Sequence, residues 1–206
     1  MDDLRALVRL NEQTRRYHAD ADADVDRYLF RPQVTVDDYR TYLAGVYGFI
    51  VPLESALLMA PGLDEAIDVR ARAKSALVVH DLLALGLSMT EINALPQCSS
   101  IPTFRDPAAA LGWLYVAERP LHASAVVSSH LSTYLRPEMA YASAYLSCYA
   151  GQVGAKWREL GEAMDRIAYS AALLDRMVAA AQDGFRTLIR FRTASRRQTG
   201  IIRIAG

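Results

Sequence analysis

The sequence predicts an all-α protein, and two features support that prediction. Apolar residues recur at spacings of three and four through most of the 206 residues, which is the pattern of helices that bury one face. No segment alternates apolar and polar residues between turn signals, as a half-buried strand would. A chain of this length can bury a sizeable core within one domain. We therefore expect a single-domain, multi-helix bundle over residues 1–192 and a C-terminal tail over residues 193–206.

Composition narrows the classes of partner. The 23 basic and 23 acidic side chains cancel, so the chain has no global field that would gather nucleic acid or an anionic membrane. The two cysteines form no CxxC pair, and the amino terminus is charged from its second residue, unlike a signal peptide. Every stretch of the roughly 18 residues needed to cross a bilayer carries a charge. We expect a cytoplasmic protein that binds neither nucleic acid nor membrane.

The first helix carries a stripe of residues at helical spacing, namely Leu4, Leu7, Asn11, Thr14 and His18. Residues three and four apart lie on one face of a helix, so this stripe should face the core. His18 would then point its imidazole inward, one turn after Thr14. From spacing alone, a histidine in that position fits a core residue hydrogen-bonded to a backbone carbonyl.

An acidic stretch, "HADADADVD", follows the first helix. It resembles a calcium loop superficially, but it lacks the central glycine and the glutamate at the twelfth position. We therefore interpret it as a solvated acidic linker. The predicted helices after it run from about Val36 past a bend at Pro52, from Leu63 to Leu85 with a stop at Gly86, from Ser88 to Leu95, from Pro137 to Met164, and from Asp165 to Arg192.

One further helix is predicted to begin at Asp106 and Pro107, a side-chain acceptor at the cap followed by proline at the first helical position. Within it, residues 114–131 read "LYVAERPLHASAVVSSHL". This apolar stretch is interrupted by a charged pair, a proline and a histidine. Proline lacks the backbone N–H and crowds the preceding turn, so Pro120 should leave the Val116 carbonyl unpaired and kink the helix.

Six segments together resemble the bacterial haem oxygenases in order and spacing, from about Leu4 to Phe191. They are "LNEQTRRYH", "YRTYLAGVYGFIVPLESAL", "HDLLALG", "LGWLYVAE", "CYAGQVGAKWREL" and "AAAQDGFRTLIRF". The resemblance implies a haem oxygenase-like helical domain that sandwiches haem between a proximal helix and a bent distal helix. It also implies that His18 is the proximal iron ligand, with Thr14 beside it. Haem would serve as substrate and cofactor, with electrons from a ferredoxin or a reductase.

The distal helix is where the sequence departs from the family pattern, which has a small-residue run ending in two adjacent glycines. Those glycines fall on Ala123 and Ser124, so these two residues would make the distal haem contact. Arg119 and Pro120 replace a small polar pair, and His122 replaces an aliphatic residue. Pro120 offers another way to bend the helix beside the haem. The two added β-carbons reduce the clearance for oxygen, because interiors are packed near crystal density.

Three further groups of residues are candidates for the haem site. His122 is a candidate second iron ligand, although its position about 100° round an α-helix from Ala123 would turn it towards a neighbouring helix or water. The haem propionates need cations, for which Arg15, Lys156 and Arg158 are candidates because they flank the proximal histidine and the "GAKWRE" segment. Four aromatic residues either line the cavity or fill the core: Trp113, Tyr115, Tyr149 and Trp157.

Three functions remain open on the sequence. The first is a haem oxygenase that converts haem to biliverdin, carbon monoxide and ferrous iron with O₂ and external electrons. The second is a haem-binding store or sensor without turnover, favoured by the loss of the glycine pair and by His122. The third is a haem-free enzyme of the same architecture that acts on another small molecule.

Overall fold

A computed structural model describes the backbone of residues 5–202 and the side chains of residues 5–195. Within these residues every regular element is helical and no strand occurs, which confirms the all-α prediction. The helices are α1 (Arg5–Thr14), α2 (His18–Asp24), α3 (Val36–Leu58), α4 (Leu63–Ala66), α5 (Ser75–Ala84), α6 (Met89–Asn93), α7 (Pro107–Glu118), α8 (Ser124–Tyr134), α9 (Arg136–Met139), α10 (Val153–Ile167) and α11 (Ala171–Ile202).

The first predicted helix is divided near its end. Helix α1 ends at Thr14, a 3₁₀ turn covers Arg15–Tyr17, and His18 begins α2. Thr14 is fully buried and His18 is partly buried, as the stripe predicted, whereas Asn11 is exposed. Leu4, which we placed on the same face, lies outside the described residues.

The acidic stretch is not a solvated linker, so that prediction was wrong. Helix α2 takes up His18–Asp24, and a π-helical turn follows at Val25–Leu29. Asp24 is only 6% exposed and its carboxylate lies 3.5 Å from Arg192 Nε of α11. Ion pairing inside the fold accounts for the misreading, because a sequence pattern does not show which acidic side chains meet a cation.

Helix α3 begins with a capping box, in which Thr35 accepts the backbone N–H of Asp38 and the Asp38 carboxylate accepts that of Thr35. Pro52 lies inside α3 without ending it. Because proline has no N–H, the Gly48 carbonyl one turn earlier loses its helical partner. The backbone N–H of Cys98 donates to that carbonyl at 2.8 Å, and so ties the loop after α6 to the helix.

Helix α3 is also long and apolar enough, by length and composition, to cross a membrane. Half of its apolar window is buried inside the fold, and a buried core helix passes the same test. The helix is therefore weak evidence for a membrane span.

The predicted helix from Leu63 to Leu85 is three elements instead, α4, a 3₁₀ turn at Arg70–Arg72, and α5. The break has a physical reason, since the Glu54 carboxylate of α3 accepts the backbone N–H groups of Lys74 and Ser75 at the start of α5. A side chain 20 positions away thus caps a helix that local spacing alone would continue. The stop at Gly86 is confirmed, with a φ of 96°.

The helix predicted to begin at Asp106 starts and is interrupted where the sequence predicts. Asp106 accepts the backbone N–H of Ala109 with Pro107 at the first helical position, which confirms the start signal. Helix α7 ends at Glu118, and the chain continues as a 3₁₀ segment over Arg119–Ala123 before α8 begins. We call this 3₁₀ segment the distal bend. It confirms the expected break at Pro120.

The helix predicted from Pro137 to Met164 is split in two, and the last helix begins later than expected. Helix α9 covers only four residues, and a turn-rich segment separates it from α10 at Val153. The buried Asp81 carboxylate holds that segment by accepting the backbone N–H groups of Ala144 and Tyr145, both at 2.9 Å. Helix α11 begins at Ala171 rather than Asp165, and it extends to Ile202, beyond Arg192, where we expected the tail to begin.

Helices α7 and α11 pack closely at the centre of the core. A β-carbon built on Gly112 of α7 would lie 2.4 Å from the Met177 carbonyl oxygen and 2.9 Å from the Ala181 nitrogen, both in α11. Contacts this short are not tolerated in proteins, so glycine is required for this approach. The close crossing fixes the position of α7 and thereby that of the distal bend at its end.

A buried ionic network lies directly under the distal bend. Glu118, the last residue of α7, accepts hydrogen bonds from Arg72 Nη1 (3.1 Å), Lys74 Nζ (2.6 Å) and Tyr149 Oη (3.2 Å). The side chains of Arg72, Lys74 and Glu118 are at most 5% exposed. Each charge therefore has a partner, which a buried ion requires.

Candidate functional site

A cavity of about 1390 Å³ lies between the first helices, the distal bend and α10. Its wall from α1, α2 and the following residues consists of Leu7, Val8, Asn11, Ala19, Asp22, Val25, Asp26 and Phe30. The opposite wall, from α7 and the distal bend, consists of Tyr115, Arg119, Pro120, His122 and Ala123, and α10 adds Trp157, Arg158 and Glu162.

His18 is not part of the lining, although two residues that follow it, Ala19 and Asp22, are. Its Nε2 atom is 3.1 Å from Thr14 Oγ1. The Thr14 hydroxyl also donates to the Leu10 carbonyl at 2.7 Å. Because the hydrogen bond with Thr14 occupies Nε2 of His18, coordination of iron through that nitrogen requires the ring to turn away from Thr14.

The surroundings of His18 favour the neutral imidazole. Burial lowers the pKa of His18, and the positive charges of Arg119 and Arg15 lower it further, while Asp22 opposes them. Its ring packs 5.5 Å from that of Phe185, which is fully buried in α11. A neutral imidazole is the form that binds a metal ion.

The two residues that replace the family's glycines occupy different environments. Ala123 is exposed and lines the cavity together with Pro120. Ser124 is 6% exposed and outside the lining, and its hydroxyl donates to the Leu121 carbonyl at 2.8 Å. Of the predicted distal pair, the structure therefore brings only Ala123 to the cavity.

His122 is exposed and packs against a neighbouring helix, as expected, and it also contributes to the lining of the cavity. The His122 ring stands edge-on against Trp157 of α10, with the centroids 4.2 Å apart. Burial and the charge of Arg119 lower the pKa of His122, and Glu118 opposes them.

Of the three cations predicted for carboxylate binding, only Arg158 lines the cavity. Arg15 is exposed and outside the lining. Lys156 forms an ion pair with Glu159 at 3.0 Å and also lies outside the lining. The structure therefore leaves Arg158 as the one member of that set at the site.

An ion pair that we did not predict joins the two walls of the cavity. Arg119 of the distal bend donates through Nη1 to both carboxylate oxygens of Asp22 in α2, at 2.9 and 3.0 Å. Asp22 had been placed in the acidic linker, and Arg119 had been noted only as a departure from the family pattern. The two residues are 97 positions apart, and the sequence holds no signal that pairs them.

Two of the four aromatic candidates line the cavity, Tyr115 and Trp157, whose rings lie 5.5 Å apart. Burial raises the pKa of Tyr115, and the Thr14 side chain opposes that shift. Within the described residues the Tyr115 hydroxyl is buried and makes no well-formed hydrogen bond.

The residues present fit a haem group in volume and lining. Pockets for drug-sized ligands occupy roughly 300–1,000 Å³, so the cavity of about 1390 Å³ accepts a larger, flat molecule. Its wall offers the aromatic rings of Tyr115 and Trp157. His18 fits the role of iron ligand once its ring leaves Thr14, because the neutral imidazole is already favoured.

The family model described as Heme oxygenase matches residues 4–193 of the chain. No curated protein matches the chain. The matched region includes α1, the distal bend, α10 and most of α11. All three structural sources of the cavity wall therefore lie within the region that matches the family.

Proposed function

We propose that this chain, which belongs to the heme oxygenase family, binds haem in the cavity and converts it to biliverdin, carbon monoxide and ferrous iron with O₂. The observation that carries the proposal is the position of the cavity, between the helix that begins at His18 and the distal bend. These are the two segments that the family resemblance assigns to the proximal and distal faces of haem.

Each wall has a role in this proposal. His18 holds the iron through Nε2 after its ring leaves Thr14. Pro120 and Ala123 cover the opposite face, and the edge-on ring pair of His122 and Trp157 closes the corner between the distal bend and α10. Bound haem supplies the chemistry on dioxygen, as cofactors do in general.

The distal bend needs a fixed position, because a face of a macrocycle is covered only by a rigid wall. Its rigidity is supported by the buried network at Glu118 and by the close crossing of α7 and α11 at Gly112.

The electrons come from a separate ferredoxin or reductase, in a cytoplasmic setting. The product supplies either iron or a bilin pigment.

The test has two stages, haem binding and turnover. Haemin is titrated into the purified protein, and a Soret band that saturates at one equivalent is the expected result. A ferredoxin with its reductase, or ascorbate, is then added, and biliverdin absorption and carbon monoxide release are followed. A Soret band without biliverdin leaves the haem-binding store or sensor, for which His122 on the cavity wall is the favouring observation. Without a Soret band, both functions are excluded.

A further inference from the structure

Arg119 reaches across the cavity. Its guanidinium extends from the distal bend to Asp22 on the opposite wall. Its charge also acts on His122 and Tyr115 of its own wall and on His18 of the first helices. The side chain is 20% exposed, so most of it is held within the site.

The ion pair with Asp22 leaves most of the donors of Arg119 available. A guanidinium carries five N–H groups in a planar fork. Only Nη1 is engaged by Asp22, and within the described residues Nε and Nη2 of Arg119 make no hydrogen bond. Asp22 thus holds the guanidinium in place, while the free N–H groups of Arg119 can donate hydrogen bonds to a second anionic group.

The charges of the lining limit where an anionic group can bind. The lining holds three carboxylates, those of Asp22, Asp26 and Glu162, and its cations are Arg119 and Arg158. A ligand with carboxylate groups is repelled by the carboxylates that face the cavity and attracted by the two guanidiniums. The walls that carry the two arginines meet at the ring contact between His122 and Trp157. An anionic group of a ligand is therefore held where one of these two guanidiniums can reach it.

The ion pair also restricts where a flat ligand can lie. Arg119 and Asp22 lie on opposite walls, and their hydrogen bonds cross the space between these walls. A flat ligand that lies between the walls cannot occupy the same space as these hydrogen bonds. The pair either borders the edge of such a ligand or breaks when the ligand enters. The free donors of Arg119 favour the first arrangement, since a carboxylate at the ligand's edge can bind without displacing Asp22.

We propose that Arg119, positioned by Asp22, is a carboxylate-binding residue that takes one propionate of haem and sets the orientation of haem within its plane. This inference rests on the proposed function, because it requires that the cavity bind haem. Arg158 binds the other propionate from the neighbouring wall. Orientation within the plane decides which bridging carbon lies under the distal bend, and so which biliverdin isomer forms.

The first experiment compares haemin with its dimethyl ester, in which both propionates are neutral. Arg119→Gln should bind haemin about tenfold to a hundredfold more weakly than the wild type, as loss of a charge-assisted hydrogen bond predicts. It should bind the dimethyl ester within about threefold of the wild type, because no carboxylate is left to lose. Retained binding of the ester also shows that the variant has kept its fold and cavity. Arg70→Gln, which removes an exposed arginine outside the lining, is the control for net charge.

The second experiment tests the positioning role of Asp22 and the orientation of haem. Proton NMR of the ferric cyanide complex resolves the haem methyl resonances, and their pattern reports how haem is seated. Arg119→Gln should change the ratio of seatings, Asp22→Asn should shift it in the same direction to a smaller extent, and Arg119→Lys should restore part of the wild-type pattern.

Three results would overturn the inference while leaving haem binding intact. One is wild-type haemin affinity and seating in Arg119→Gln. The second is an equal loss of affinity for haemin and for the ester, which would show a structural role only. The third is tighter haemin binding in Arg119→Gln, which would show that the ion pair must break to admit haem. Absence of a Soret band in the wild type would instead remove the proposed function together with this inference.

Discussion

Lys74 Nζ lies 2.6 Å from Glu118 Oε1, directly below the distal bend and almost completely out of contact with solvent. Glu118 is also the acceptor for Arg72 and Tyr149. One carboxylate therefore compensates two buried cations where α7 ends. Removing it would leave those cations without their shared counter-charge.

We predict that Glu118→Gln destabilises the protein by about 3–5 kcal/mol, the cost of leaving a buried ion uncompensated. Urea unfolding followed by circular dichroism measures the difference. Glu159→Gln is the matched control, because Glu159 binds the same Arg72 but its side chain is 50% exposed. It should cost less than about 1 kcal/mol. Equal losses in the two variants would contradict the importance of burial.

The hydrogen bond to Thr14 occupies Nε2 of His18, so removing the Thr14 hydroxyl should ease haem binding. We expect Thr14→Val to bind haemin about two- to tenfold faster, as the loss of one competing hydrogen bond predicts. Stopped-flow absorbance at the Soret band gives the rate. Thr41→Val is the control, since the Thr41 hydroxyl makes the same bond to a carbonyl one turn earlier, without a histidine partner. A slower rate in Thr14→Val would show that Thr14 assists ligation instead.

His18 is predicted to be the proximal iron ligand. His18→Ala should lose the haem spectrum of the wild type, and added imidazole should restore it by filling the space that the side chain leaves. His122→Ala is measured in parallel, because His122 also reaches the cavity. An unchanged spectrum in His18→Ala would exclude His18. A pH-independent, six-coordinate low-spin spectrum that disappears in His122→Ala would identify His122 as a second ligand.

Of the two residues that replace the family's glycines, Ala123 lines the cavity, and Ser124 is buried with its hydroxyl bonded to the Leu121 carbonyl. We predict that Ala123→Gly changes the rate of haem turnover without changing the biliverdin isomer. Ser124→Gly should leave the rate near that of the wild type and cost roughly 1 kcal/mol in stability through lost helix propensity. The two single variants are each other's controls in the ferredoxin assay. If the wild type shows no turnover while Ala123→Gly does, the natural protein is a haem binder.

Cys148 should be unreactive at neutral pH. Burial raises the pKa of its thiol to about 11, so the thiol stays protonated until the pH approaches that value. In a Cys98→Ser background, iodoacetamide at pH 8 should alkylate Cys148 roughly a hundredfold more slowly than a free thiol of ordinary pKa, because the thiolate reacts. The same protein unfolded in urea should react at the ordinary rate. A fast reaction in the folded protein would contradict the burial of this thiol.

Much of the helical framework could be predicted from the sequence, because its signals are local. The cap at Asp106, the stop at Gly86 and the break at Pro120 each depend on backbone chemistry within one turn of the residue concerned. The predictions that made some helices longer than they are were wrong for the opposite reason. A carboxylate from another helix, such as Glu54 or Asp81, satisfies their broken backbone, and local spacing does not report it.

The sequence by itself determined the all-α class, the buried position of Thr14, the break in the distal helix and the family resemblance to which His18 belongs. Only the tertiary structure decided which polar side chains meet in the cavity. It placed His122 against Trp157 at the cavity, directed Ser124 to the Leu121 carbonyl and paired Arg119 with Asp22. The physical reason is that periodicity reports which face of a helix is buried, whereas a charge pair across a cavity depends on how two distant helices are placed by the core between them.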